Sequence, residues 1–249
     1  MIQITIIKIT GYGPWTLTLG SDREHKLQIL QSSLYNESQR LFSEKNCLVF
    51  ANRFDELFVI SNGLSLNDHE EIQKKLKDLF KLEFSMTIGY GQSPFEANLQ
   101  AYDARKSKTM LNKESKIFGF KNGKSEQTVS IIHMDVDDST SISAKKSPYE
   151  ISSLIFKLYS EMSEFFLNHN SLTFFMGGDN FMIVSSSTAK ENITKFLEII
   201  EKKYGVSMNC GMGTAKTARE AANLATKSLD TIREMRDLGN KQRILELTC

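Results

Sequence analysis

The chain has 249 residues, of which 31 are Lys or Arg and 30 are Asp or Glu, so its formal charge is +1. This balance excludes the global basic field that binds nucleic acid non-specifically, and an anionic ligand must be met by a local site. Apolar runs such as residues 57–60 are far shorter than the ~20 residues that cross a bilayer, and residues 1–10 are typical of a strand rather than a signal peptide. The cysteines Cys47, Cys210 and Cys249 are too few and too scattered for a disulfide framework. We therefore expect a cytoplasmic protein that acts neither on nucleic acid nor at a membrane.

The first half of the chain alternates β-branched strand patterns with amphipathic helix patterns. In chain order the predicted elements are a strand over 2–9, a loop over 11–20, a helix capped by Ser21 or Asp22, a hairpin of strands 47–51 and 57–61, a helix over 67–80, a strand over 84–91 and a helix over 94–111. The predicted order is βαββαβ with one trailing helix.

The second half repeats this order. Its predicted elements are a strand over 128–135, a helix over 148–167, a hairpin of strands 172–176 and 181–185, a helix over 189–203, a strand over 206–213 and a helix over 217–238. A polar stretch over 112–127 is predicted to join the halves.

Direct comparison of the halves indicates an internal duplication. Residues 85–91, SMTIGYG, align with residues 207–213, SMNCGMG, and Glu96-Ala97 aligns with Glu220-Ala221. The sequence therefore predicts an α+β fold of two tandem ferredoxin-like (βαββαβ) domains, the first over 1–115 and the second over 126–249.

Two acidic residues of the second half are predicted to lie side by side. Asp135 ends the first strand and Asp179 lies in the hairpin, and these strands are central neighbours in a βαββαβ sheet. Carboxylate oxygens a few ångströms apart suit Mg²⁺, which binds one or two carboxylates together with substrate phosphates and waters. The backbone carbonyl of Val136 is a further candidate ligand. We expect Asp135 and Asp179 to be catalytic metal ligands, with a second ion available to activate the attacking water.

The hairpin turn itself reads Gly177-Gly178-Asp179-Asn180. Without a Cβ atom, Gly177 and Gly178 can take positive φ and let a ligand approach the backbone closely. The other interpretation is structural, because an ordinary hairpin turn and a solvated loop over 135–138 favour the same residues.

The combination of this turn with Asp135 resembles the palm fold of class III nucleotidyl cyclases and GGDEF diguanylate cyclases. In those proteins an aspartate at the end of the first strand and an acidic residue of the central hairpin bind two metal ions. Residues 220–225, EAANLA, followed by Leu229 and Arg233, resemble the closing helix of GGDEF domains, whose basic residue contacts phosphate. The resemblance implies two palm domains, phosphate binding by Arg233, and a polar contact from Asn180, which stands where GGDEF proteins have glutamate.

Over the whole chain the sequence resembles GTP cyclohydrolase III, the archaeal-type GTP cyclohydrolase IIa. The matching motifs are MIQIT over 1–5, GYGPWT over 11–16, RFD over 53–55 and FFMGGDNFM over 174–182. The resemblance implies hydrolysis of GTP to 2-amino-5-formylamino-6-(5-phosphoribosylamino)pyrimidin-4(3H)-one and two phosphates, with the imidazole ring opened and formate retained. It also implies two or more Mg²⁺ ions, activation by K⁺ or another monovalent cation, and a place in riboflavin and coenzyme F420 biosynthesis.

The hairpin of the first half carries Arg53 and Asp55. Arg53 is a candidate for bidentate phosphate binding, and Asp55 is a candidate to contact guanine or ligate a metal. A surface ion pair in an exposed turn is the other interpretation. The first strand leads into Thr10, where the family pattern has aspartate, and this difference argues against a metal ion in the first half.

Two other functions stay open from the sequence. A purine nucleotide cyclase or diguanylate cyclase would release pyrophosphate and keep the purine intact, whereas a sensor would bind GTP without turnover. We also expect a homo-oligomer, a dimer or tetramer, because symmetric assembly is the default for soluble enzymes.

Overall fold

The computed structural model describes residues 1–53, 55–121, 128–137, 142, 144–186 and 190–249. The chain divides into two compact units: unit 1 comprises residues 1–92 and 96–127, and unit 2 comprises residues 93–95 and 128–249. Within the described ranges, no helix combines the length and the apolar character needed to cross a membrane.

The first half forms a six-stranded sheet with its helices. Its elements are β1 (Ile2–Ile9), α1 (Tyr12–Leu17), α2 (Arg23–Ser43), β2 (Leu48–Arg53), β3 (Glu56–Ile60), α3 (Leu66–Phe80), β4 (Phe84–Gly91), α4 (Pro94–Lys106), β5 (Met110–Asn112) and β6 (Ile117–Gly119). The strand order is β2-β3-β1-β4-β6-β5, in which β1 is antiparallel to both β3 and β4.

The second half forms a five-stranded sheet on the same plan. Its elements are β7 (Val129–Val136), α5 (Pro148–Leu167), β8 (Leu172–Gly177), β9 (Asn180–Ser185), α6 (Lys190–Tyr204), β10 (Met208–Ala215), α7 (Ala218–Asp237) and β11 (Ile244–Thr248). The order β11-β10-β7-β9-β8 places β7 between β9 and β10, as β1 lies between β3 and β4. The prediction of an α+β fold with two ferredoxin-like units is therefore confirmed.

The two faces of the unit 2 sheet carry different side chains, because successive side chains of a strand point to opposite sides. In β7, Ile132, Met134 and Val136 pack with residues of α5 and α6 in the core of unit 2. The alternate residues His133 and Asp135 therefore point to the opposite face, where α7 packs on β7 and β10. This arrangement separates the apolar core from a face that can carry polar chemistry.

Glycines allow the closing helices to pack directly on the sheets. A Cβ atom on Gly89 of β4 would lie 2.0 Å from the carbonyl oxygen of Ala97, and one on Gly211 of β10 would lie 2.1 Å from that of Ala225. The packing therefore matches Ala97 of α4 with Ala225 of α7. The sequence alignment of Glu96-Ala97 with Glu220-Ala221 is wrong by one helical turn, because α7 begins one turn earlier than α4.

Several short elements differ from the sequence prediction. The predicted loop over 11–20 contains α1, and the predicted helix over 94–111 ends at Lys106, where α4 ends. The strand β6 pairs in parallel with β4, so the linker begins later than residue 112; the part of the linker over 122–127 lies outside the described residues. The strand β11, which pairs in parallel with β10, was not predicted.

Cys47 and Cys210 are buried, and burial raises the pKa of the Cys47 thiol to about 12.

Candidate active site

Asp135 lies at the centre of the unit 2 sheet. It pairs with Asn180 of β9 on one side and with Asn209 of β10 on the other. The residue is 5% exposed, which is unusual for a carboxylate. A buried carboxylate needs a partner, and the helix that covers this face supplies one.

That partner is Arg233 of α7. Its Nη2 atom donates to Oδ2 of Asp135 at 2.5 Å, and its Nη1 atom donates to Oδ1 of Asp230 at 2.8 Å. Asp230 and Arg233 share a face of the helix because they are three residues apart. The arginine predicted to bind phosphate is therefore held beside the predicted metal ligand.

The second oxygen of Asp135 has no protein partner. Oδ1 is buried and accepts no hydrogen bond in the described part of the chain. Burial is the largest influence on this carboxyl group and raises its pKa. The hydrogen bond and charge of Arg233 and the nearby amide of Asn209 oppose the rise, and the charge of Asp179 adds to it. A carboxylate with one oxygen paired and the other orphaned is suited to receive a cation.

The hairpin turn brings its polar residues to the same end of the sheet. Gly177 has a φ of 101° and Gly178 a φ of 60°, both in the left-handed region that favours glycine. The Asn180 side-chain amide donates from Nδ2 to Oδ1 of Asp179 at 3.1 Å. Asn180 is also the cross-strand neighbour of Asp135. The structure thus brings together Asp135, Asp179, Asn180 and Arg233.

His133 is a site residue that the sequence analysis missed. Its Nε2 atom donates to Oδ1 of Asn180 at 3.1 Å, and its Nδ1 atom lies 3.2 Å from the hydroxyl of Thr226. Burial lowers the pKa of this imidazole, which keeps the ring neutral. The sequence held a sign of this role, because residues 133, 135 and 137 are spaced two apart. In an extended strand, side chains at this spacing point to the same side.

Asp137 forms a second acid and arginine pair beside the first. Its Oδ1 atom accepts hydrogen bonds from Nη1 of Arg236 at 2.5 Å and from Nδ2 of Asn209 at 3.1 Å. The solvated-loop interpretation of residues 135–138 is wrong for Asp135, which is buried in β7. Asp137 lies in the turn that follows and is partly exposed, and residue 138 lies outside the described residues. A cleft of about 440 Å³ opens next to this pair, lined by Asp137, Glu201, Ser207, Asn209, Arg236, Gly239, Asn240, Lys241, Gln242 and Arg243.

Another cleft adjoins the Gly-Gly turn. It has a volume of about 420 Å³ and is lined by Ile151, Ser152, Ile155, Phe156, Phe175, Gly178 and Asp179. The rings of Phe156 and Phe175 meet edge to face with centroids 5.9 Å apart. An aromatic wall that ends at a carboxylate is suited to a flat, polar heterocycle.

The donor set of unit 2 fits a hard cation. No group of three or more His, Cys, Asp or Glu side chains with metal-binding geometry occurs among the described residues, so a cage made only of such side chains is absent. Mg²⁺ does not require one, because one or two carboxylates suffice when substrate phosphates and waters fill the remaining positions. The buried, orphaned Oδ1 of Asp135 and the nearby Asp179 meet this requirement. The side chain of Val136 lies in the core, which leaves only its backbone carbonyl for ligation.

The hairpin of unit 1 is built differently. Nε of Arg53 lies 3.7 Å from Oδ1 of Asp55, and Nη2 of Arg53 lies 3.5 Å from Oε2 of Glu56, so the surface ion pair of the alternative interpretation is present. Lys8 faces Glu56 across the strands as Asp135 faces Asn180 in unit 2. Strand β1 therefore carries a lysine, and no carboxylate, next to the hairpin turn of unit 1. Phosphate or guanine binding by Arg53 and Asp55 stays a prediction.

Thr10 lies just beyond β1 and is exposed. Its backbone N–H donates to the carbonyl oxygen of Glu83 at 2.8 Å. The position where the family pattern has aspartate thus contributes no carboxylate in this chain.

The two units share a ferredoxin-like plan, and unit 2 adds an acidic pair that is suited to a divalent cation. The family model described as GTP cyclohydrolase III matches residues 1–244, and the chain belongs to this family. Relatives named GTP cyclohydrolase III include those of Methanocaldococcus jannaschii, 36% identical over 94% of this chain and 88% of the relative, and Methanothermobacter thermautotrophicus, 33% identical over 94% and 95%.

Solved structures show a more distant likeness. The GGDEF domain of FimX from Pseudomonas aeruginosa is 14% identical over 49% of this chain and 82% of that chain, with a TM-score of 0.42. A bacterial light-regulated adenylyl cyclase is 10% identical over 99% of this chain and 85% of that chain, with a TM-score of 0.41.

Proposed function

We propose that the protein is a GTP cyclohydrolase III that converts GTP to 2-amino-5-formylamino-6-(5-phosphoribosylamino)pyrimidin-4(3H)-one and two phosphates. In this reaction water adds at C8 of the guanine, the C8–N9 bond breaks, and the carbon stays on N7 as a formyl group. Hydrolysis of the triphosphate releases the phosphates. The observation that carries the proposal is the buried Asp135 carboxylate, with one oxygen paired to Arg233 and the other orphaned, in a chain of this family.

The cofactor of the proposal is Mg²⁺, in two or more ions, held by the carboxylates of Asp135 and Asp179 and the backbone carbonyl of Val136. When bound, Mg²⁺ neutralises charge that develops on the phosphates and lowers the pKa of a nucleophilic water. The orphaned Oδ1 of Asp135 supports this assignment, since a buried carboxylate oxygen without a hydrogen-bond partner is costly unless a cation is bound.

The remaining residues bind and orient the substrate. Arg233 presents a planar guanidinium beside Asp135 and is proposed to hold a phosphate through paired N–H donors. Gly177 and Gly178 leave the turn open for close approach of the phosphate chain. His133, neutral and donating to Asn180, holds the Asn180 amide in place, so it acts as a positioning residue.

The cleft between the turn and α5 is proposed to take the guanine. The rings of Phe156 and Phe175 offer an apolar wall, and Asp179 lies at its polar end. This placement would set the imidazole side of the purine close to the residues that bind the phosphates, so one site could serve both hydrolytic steps.

Further parts of the proposal concern the setting of the enzyme. We include activation by K⁺ or another monovalent cation, a homo-oligomeric assembly, a cytoplasmic location, no nucleic-acid or membrane partner, and use of the product in riboflavin and coenzyme F420 synthesis. Support comes from the family to which the chain belongs.

The test is incubation of the purified chain with GTP, Mg²⁺ and K⁺, followed by phosphate assay, ultraviolet spectroscopy and product mass. Two phosphates per GTP and a formyl-retaining product, both lost in Asp179→Ala, are expected. Pyrophosphate with an intact purine would instead establish a cyclase. GTP binding without turnover would establish a sensor.

A further inference from the structure

The strand pairing of the two units shows which residue of unit 1 occupies the position of Asp135. Thr87 of β4 and Asn209 of β10 each lie two residues before the glycine that packs on the closing helix. Thr87 pairs with Ile6 of β1, and Asn209 pairs with Asp135 of β7. Counted from this edge of the sheet, Ile6 occupies the place of the buried carboxylate.

The closing helices can be matched in the same way. Because Ala97 packs on Gly89 as Ala225 packs on Gly211, α4 and α7 are in register with these alanines aligned. Arg105 then occupies the position of Arg233, and Tyr102 occupies the position of Asp230.

Unit 1 has therefore kept the arginine and lost both of its carboxylate partners. Arg233 is bound by Asp135 and Asp230, whereas the corresponding places around Arg105 hold isoleucine and tyrosine. Arg105 is half-buried, and no ion pair to it is found among the residues that the structure describes. A guanidinium in this setting has donors to offer an external anion.

A cleft of about 360 Å³ lies beside this arginine, and we call it the unit 1 cleft. It is lined by Ile6, Glu56, Phe58, Thr87, Asn98, Leu99, Ala101, Tyr102 and Arg105. Its volume falls within the ~300–1,000 Å³ typical of small-molecule sites. Tyr102 is 56% exposed, and Nζ of Lys106 lies 5.8 Å from the centre of its ring. The cleft thus combines aromatic and aliphatic walls with a cationic end at Arg105 and with the carboxylate of Glu56, whose charge is balanced by ion pairs to Lys8 and Arg53.

A buried polar group also marks the cleft. The Thr87 hydroxyl has no hydrogen-bond partner in the described structure, and the residue is only 1% exposed. Unsatisfied buried hydroxyls are uncommon because each costs the free energy of its lost hydration. Together with Arg105 it points to a ligand that carries hydrogen-bonding groups as well as an anion.

We propose that the unit 1 cleft is a metal-independent binding site for a nucleoside monophosphate. The phosphate monoester pairs with Arg105, the base packs against the side chains of Phe58 and Tyr102, and the Thr87 hydroxyl contacts a polar atom of the ligand. Ile6, in place of a metal-binding acid, makes the site independent of Mg²⁺. The proposal goes beyond the ring-opening reaction and does not depend on it.

The experiment is calorimetric titration of GMP into the full-length protein in EDTA. Arg105→Gln is expected to weaken GMP binding roughly 10-fold or more, because charge-assisted hydrogen bonds to phosphate are lost. Arg40→Gln, the same change at an exposed arginine of α2, is expected to leave it within about twofold. No binding to the wild type, or loss in Arg233→Gln with retention in Arg105→Gln, would overturn the proposal. Thermal unfolding of each variant verifies that it is folded.

Further variants test the chemistry of the cleft without removing the arginine. Tyr102→Asp restores the carboxylate found in unit 2, so it is expected to occupy Arg105 and weaken GMP binding. Thr87→Val is expected to weaken it about 3- to 10-fold, the effect of one hydrogen bond. Ser85→Ala removes another buried, unpartnered hydroxyl of the same strand that does not line the cleft, and should have no effect on binding. Equal weakening by Ser85→Ala and Thr87→Val, or inorganic phosphate binding as tightly as GMP, would contradict the nucleoside monophosphate assignment.

Discussion

Arg233 neutralises only one oxygen of Asp135: its Nη2 atom donates to Oδ2 at 2.5 Å, while Oδ1 is buried without a partner in the described part of the chain. The burial raises the pKa of this carboxyl group in spite of the arginine. When Asp135 is ionised and no ligand is bound, its buried and unpartnered oxygen destabilises the fold. Activity and stability should therefore respond in opposite ways to its removal.

The first prediction concerns Asp135→Asn. We expect kcat for GTP to fall roughly 100-fold or more, as when other electrostatic stabilisers are removed from active sites. In metal-free buffer we expect an unchanged or higher Tm, because a neutral amide of the same shape replaces a buried anion, while the partly exposed Arg233 keeps its ion pair with Asp230. Steady-state phosphate release and thermal unfolding measure the two effects. Asp103→Asn, at an exposed position of unit 1, is the control, and a large drop in Tm for Asp135→Asn would contradict the argument.

The second prediction concerns Asp179 and Mg²⁺. A ligand that binds only the folded state stabilises it by about 2.7 kcal/mol at a concentration 100 times its Kd. We expect Mg²⁺ with a non-hydrolysable GTP analogue to raise the Tm of the wild type, and Asp179→Asn to lose most of the Mg²⁺-dependent part. The measurement is differential scanning fluorimetry with and without EDTA. An equal Mg²⁺ effect in the two proteins would show that Asp179 does not bind the ion.

The architecture could be predicted from sequence because its long elements have strong periodicity. The eight-residue strands β1 and β7 and the long helices α2, α5 and α7 were recognisable from spacing alone. The three-residue strands β5 and β6 were not, since such short segments are strands only through pairing with distant residues. The short helix α1 was hidden by Gly11, Gly13 and Pro14, which are typical of loops.

The site was only partly predictable, because several of its contacts join residues that are distant in the sequence. Asp135 and Asp179 stand at recognisable positions of strand end and hairpin turn, and the structure brings them to one end of the sheet. The pairing of Asp137 with Arg236 and the hydrogen bond of His133 to Asn180 depend on how α7 and β9 lie against β7. One-turn shifts of a helix change such pairs, as the corrected match of Ala97 with Ala225 shows.

The third prediction tests the packing of the closing helix of unit 2. In Gly211→Ala the new Cβ atom would lie 2.1 Å from the carbonyl oxygen of Ala225 and 2.5 Å from the backbone nitrogen of Leu229. Backbone atoms cannot move aside as a flexible side chain can, so we expect the free energy of unfolding to fall by about 3 kcal/mol or more. Gly13→Ala, with nothing within 4 Å of the new atom, is the matched control. Urea denaturation compares the two, and similar midpoints would refute the packing argument.

The last prediction concerns pH and His69, which is fully buried in unit 1. Its Nδ1 atom donates to the carbonyl oxygen of Ser65 at 2.7 Å, and its Nε2 atom accepts from the Thr5 hydroxyl at 2.7 Å. A neutral ring satisfies both partners. Burial lowers the pKa of His69 from 6.5 to about 4.

The unfolded chain therefore binds a proton at this histidine at a higher pH than the folded protein does. The contribution of His69 to the free energy of unfolding is fully present above the unfolded pKa of 6.5. It is lost as the pH falls from 6.5 towards 4, by about 3 kcal/mol over the whole interval. Urea denaturation at pH 7.5, 6 and 5 should show this slope, above the range in which most carboxylates titrate. His69→Gln keeps an amide in place of the ring but has no proton to gain, so its stability should be lower at pH 7.5 and flatter over the same interval. Parallel pH profiles for the two proteins would mean that His69 is protonated in the folded state as readily as in the unfolded one.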